Sequence, residues 1–129
     1  MLSKDNIFHT VNPLWVKTMV RAEIEDWLQE AEVDLKHAND CLGLQSYHRA
    51  CFAAQQSAEK ALKAFIMGFI KKRPFHVHDL IKLYDEAKGE LSLPEEVLEH
   101  LGELFSYYTL ARYPNAGLTR PSMGISRAR

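Results

Sequence analysis

Four groups of residues in this chain have types and spacings that could do chemistry. The first lies in YHRACFAAQQSAEKALKAFI at 47–66, where Gln56, Glu59, Lys60 and Lys63 interrupt a run otherwise suited to a buried helix. Polar groups are costly to bury unpaired. They either line a wet face, where Glu59 and Lys63 form an i,i+4 pair, or meet a partner across a cleft, where Lys60 and Lys63 attract phosphate. The second group is Arg112-Tyr113. An Arg at a helix C-terminus can simply complement the dipole, but it can also grip a phosphate with two parallel donors, beside a Tyr ring on which a base stacks. The third, His37, Cys41, His48 and Cys51, offers zinc-type donors. Its spacings match no standard zinc pattern and Cys51 falls on an apolar stripe, so no metal and no cofactor is expected. The fourth is His78-Asp79. Asp79 suits a helix start, and no nucleophile accompanies the pair, so covalent catalysis is not expected there.

These residues must be positioned by helices. Ile24, Trp27, Leu28, Ala31, Leu35, Ala38 and Leu42 recur at spacings of three and four, predicting a helix from about Ala22 to Leu42 that stops at Gly43 in the left-handed region. Ser46 is a candidate N-cap for a second helix running to about Ile70. Its apolar stripe holds Cys51, Leu62 and Phe69 among others, and one flank is small: Ala50, Ala53, Ser57, Ala61 and Ala64. That flank lets another helix approach closely. Pro74 forbids continuation, and a short helix with Leu80, Leu83, Tyr84 and Ala87 on one face follows His78-Asp79 and ends at Gly89. SLPE at 92–95 has the form of a capping box, opening a helix with Val97, Leu101, Leu104, Tyr108 and Ala111 inward; Pro114 ends it. No segment alternates as a strand. The prediction is an all-α, up-and-down bundle of four to five helices.

Bulk properties agree. The 129 residues suit one domain, and a net charge of -1 creates no global field toward nucleic acid or membrane. Two cysteines and no signal peptide suit a reduced cytoplasm, and no apolar run is long enough to span a bilayer. The expected division is an N-terminal extension at 1–20, the bundle at 21–114 and an Arg-containing tail at 115–129, with Met19 an alternative start.

Asp34-Leu35, the segment YHRACFAAQQSAEKALKAF, HDL at 78–80 and ARYP at 111–114 together resemble the HEPN domain family, in order and spacing over most of the chain. The resemblance implies a helical bundle, usually a homodimer, often encoded beside a minimal nucleotidyltransferase in a toxin–antitoxin-like pair. It brings a nucleotide-binding or substrate-binding role to Arg112, Tyr113, Lys60, Lys63, Glu59 and Gln56. Ribonuclease members use an Arg followed, after four to six residues, by a His. Arg112 matches the Arg, but Gly117, Leu118 and Thr119 occupy the His positions and no His follows His100. His is the side chain best poised for proton transfer at neutral pH. The expectation is therefore a binding module for a nucleotide or RNA rather than an enzyme. A ribonuclease using Arg112 with His78, and a purely structural dimeric partner for another protein, are the alternatives. Arg73 and His78 repeat the Arg-to-His spacing, but ahead of the third helix, where the family pattern does not place it. The family's final helix is not visible after the Arg, which implies a shortened C-terminal end.

Overall fold

The computed structural model describes residues 13–112; the tail at 115–129 lies outside the described residues, as does Tyr113. Four α-helices follow one another: α1 (Pro13–Gly43), α2 (Tyr47–Phe65), α3 (Leu80–Ala87) and α4 (Glu95–Arg112). No strand occurs among the described residues. The all-α bundle expected from periodicity is the observed architecture.

α1 starts at Pro13 rather than near Ala22, with Pro in the first helical position, where its missing N–H costs nothing. It also ends differently. Gly43 stays helical, and Gln45 takes the left-handed conformation at φ 61°. Ser46 N donates to Cys41 O at 2.8 Å and Gln45 N to Leu42 O at 3.0 Å, the two bonds of a Schellman turn. Ser46 does precede α2, but its side chain makes no capping bond. The turn's own backbone bonds close the helical hairpin instead.

α1 and α2 pack through small residues. Ala31 and Ala38 of α1 are buried, as are Ala50, Ala53, Ser57 and Ala64 of α2. Ser57 Oγ donates to the Ala31 carbonyl across the contact at 2.7 Å. Of the predicted small flank only Ala61 is exposed. The large apolar residues of α1 behave otherwise: Leu28, Leu35 and Leu42, seven apart, are 45%, 52% and 46% exposed. They form a row on the outer side of α1, away from the core the stripe predicts for them.

The core lies where the end of α2 meets α3 and α4. Leu62, Ile66, Leu80, Leu83 and Ala87 form its centre, with Phe65, Leu101 and Leu104 packed around. α2 continues as a π-helical turn, Ile66–Ile70, which buries both Ile66 and Met67 and ends at Lys71, φ 61°. Arg73 then returns to α1, its two terminal nitrogens each 2.6 Å from one oxygen of Glu23. Asp79 caps α3, accepting from Ile81 N and Lys82 N. The Pro94 carbonyl accepts from Leu98 N at 3.1 Å, so α4 begins later than a capping box at Ser92 would start it.

Candidate functional site

The polar residues of α2 separate into two sets. Toward the end of the helix, Glu59 and Lys63 are buried and their partners lie within the chain. Lys63 Nζ is 3.1 Å from Glu59 Oε2 and 5.6 Å from the centre of the Trp27 ring. His78 Nδ1 lies 2.9 Å from the other carboxylate oxygen. Gln55, wholly buried, donates to the His78 carbonyl at 2.7 Å. The result is a charged knot that ties the turn before α3 to α2. Lys60 Nζ reaches α1, 2.7 Å from Asp34 Oδ2 and 3.9 Å from Glu30 Oε2. Glu59, Lys60 and Lys63 thus hold helices together, and their charges are matched internally.

Earlier on the helix the polar groups are open. Arg49, Phe52, Ala53 and Gln56 fall at i, i+3, i+4 and i+7, one face of α2. With His48, and with Asp34 and His37 of α1, they line a surface cleft of about 420 Å³. Among the described residues no hydrogen bond or ion pair engages the side chain of Arg49, His48 or Gln56. His37 Nε2 lies 3.6 Å from Cys41 Sγ. Phe52 is 40% exposed and its ring centre lies 5.0 Å from that of buried Tyr108 on α4. Partial burial pushes the Cys51 thiol above its ordinary value, which favours the protonated, less nucleophilic form.

The structure therefore brings Gln56 to an open cleft and places Glu59 and Lys63 inside. Arg112 is the last residue of α4, one turn beyond Tyr108, and its side chain lies outside the described residues. The spacing of Arg49, Phe52 and Gln56 was available in the sequence as a helical face. Their grouping with Asp34 and His37 depends on how α1 crosses α2. Of the His/Cys group, His37 meets Cys41 and shares the cleft lining with His48, and no cluster of three metal-type donors occurs among the described residues. None of the described helices is long and apolar enough to cross a membrane.

The sequence pattern of the HEPN domain family matches residues 24–123. The crystal structure of TT1696 from Thermus thermophilus is similar over 81% of this chain and 82% of that one, at 34% identity and a TM-score of 0.71. No curated protein matches the chain. With the helical bundle and the family pattern covering most of its length, the chain belongs to the HEPN domain family.

Proposed function

We propose that this protein is a binding module for a nucleotide or nucleotidyl substrate, working as a cytoplasmic homodimer beside a separately encoded nucleotidyltransferase, in a toxin–antitoxin-like pair. One observation carries the reading: among the described residues, the side chains of Arg49, His48 and Gln56 have no polar partner, and they surround a concave surface that also presents the Phe52 ring. A ligand site needs apolar wall and a few convergent polar groups, and this cleft has both. The exposed row of Leu28, Leu35 and Leu42 on the neighbouring face supports the homodimer, since large apolar rows on a surface favour a helical partner. The test is a thermal-shift screen with mono-, di- and triphosphate nucleotides on the wild type, Arg49→Ala and Arg112→Ala. A ligand present at 100 times its Kd adds about 2.7 kcal/mol. Stabilisation lost in Arg49→Ala puts the ligand in the cleft; loss in Arg112→Ala puts it at the end of α4. Equal shifts in all three proteins, or none in any, defeat the reading.

The ribonuclease alternative has one observation in its favour. Glu59 holds His78 by Nδ1, and among the described residues Nε2 of this half-exposed ring has no hydrogen-bond partner, as proton transfer needs. RNA cleavage that disappears in His78→Gln and in Arg112→Ala supports it, and cleavage unchanged in both disposes of it.

A further inference from the structure

The charge balance of the α1–α2 cleft says what kind of ligand it suits. From α1 it receives one carboxylate, Asp34, and one imidazole, His37; from α2 one guanidinium, Arg49, a second imidazole, His48, and the Gln56 carboxamide. The single acidic group of the lining is paired, because Lys60 Nζ sits 2.7 Å from Asp34 Oδ2 and only 3.9 Å from the more exposed Glu30 Oε2. Asp34 is 21% and Lys60 30% exposed, so solvent screens this contact only in part. What remains open to a ligand is cationic or neutral. One guanidinium provides a two-pronged grip for one phosphate group. Phe52, exposed at the cleft wall, provides a face for a planar ring.

We infer that the cleft takes a phosphate monoester carried on a planar base, a nucleoside monophosphate, and that Lys60 sets its anion affinity as a positioning residue acting through Asp34. Arg49 grips the phosphate, the base lies against Phe52, and Gln56 offers its carboxamide to a ring edge or sugar hydroxyl. Lys60, which the sequence suggests as a direct phosphate contact, instead keeps Asp34 from repelling the anion. The inference rests on the binding-module reading above and adds the ligand class and the Asp34–Lys60 control.

Titration calorimetry with AMP, adenosine and inorganic phosphate at neutral pH and low salt tests it, on the full chain. AMP should bind more tightly than either fragment. Losing a charge-assisted contact in Arg49→Ala should weaken AMP by about tenfold or more. Lys60→Met should also weaken AMP while leaving adenosine unchanged, and Asp34→Asn/Lys60→Met should restore it. A merely structural role for Lys60 would move both ligands together and give no such rescue. Should Lys60→Met fold poorly, Asp34→Asn carries the test in its place, since removing the carboxylate while the ammonium stays must tighten AMP and leave adenosine unchanged. AMP binding that depends on Arg49 but ignores Lys60, or a preference for ADP or ATP over AMP, overturns this inference and leaves the binding module intact. Absence of any nucleotide binding to the wild type overturns both.

Discussion

Glu59 Oε1 lies 2.9 Å from His78 Nδ1, joining α2 to a residue nineteen positions further along the chain. The other oxygen of the same carboxylate is 3.1 Å from Lys63 Nζ, and both members of that pair are almost wholly buried. Removing one partner of a buried pair strands the other charge, which costs more than the pair contributes. Glu59→Ala should therefore destabilise the protein by about 3 kcal/mol. Glu59→Ala/Lys63→Met should cost less than Glu59→Ala alone, since it leaves no buried cation. Urea unfolding midpoints at constant m-value measure both; a double variant no more stable than the single one would contradict the pairing.

The turn between α1 and α2 places Gln45 where a helix normally ends in Gly. A left-handed conformation costs a residue with a Cβ about 1 kcal/mol, partly offset by the greater chain entropy that Gly loses on folding. Gln45→Gly should raise stability by about 0.5–1 kcal/mol, read as a higher melting temperature. The same change at Leu42, just before Gly43, should lower stability, because Leu42 is helical.

Leu83 is fully buried at the centre of the core. Leu83→Ala should cost about 2–5 kcal/mol, according to how far Leu80 and Leu62 close the gap. Leu35→Ala, at a half-exposed position on α1, should change the stability of a monomer little and weaken any dimer built on that face. Denaturant melts and sedimentation, run on both variants, separate the two effects.

The raised Cys51 thiol has a pH consequence with a definite sign. Its folded form holds its proton above the ordinary value of 9.0, so the contribution to stability is complete below about that pH and falls as pH rises through it. Alkylation of Cys51 in the native protein should be slower at about pH 8 than that of the unfolded chain, and a native rate equal to the unfolded one would contradict its burial.

Periodicity made the helices legible, because Leu62, Leu80 and Leu83 recur where a core demands them. It did not reveal which apolar face is covered. Leu28, Leu35 and Leu42 share the spacing of a buried stripe, yet Ala31, Ala38 and Cys41 make the contact with α2, since small side chains permit the closest approach. That close approach also decided the fate of the polar residues. Lys60 could not be assigned to Asp34 from sequence, as the two are 26 residues apart and meet only once the hairpin has closed. The ends of elements were read least well. Gln45 in place of Gly43, and Pro94 in place of Ser92, are settled by backbone bonds in which the side chain takes no part.

The tight Schellman turn at 43–46 also bears on the order of assembly. It joins the two longest helices of the described residues through a connection so short that little loop entropy opposes their meeting. The low separation of the first α1–α2 contacts lets them form by zipping outward from that corner, without a long-range search. The Asp34–Lys60 pair, 26 residues apart, then stands partway along a ladder whose first step is local and whose far end is the Glu23–Arg73 pair.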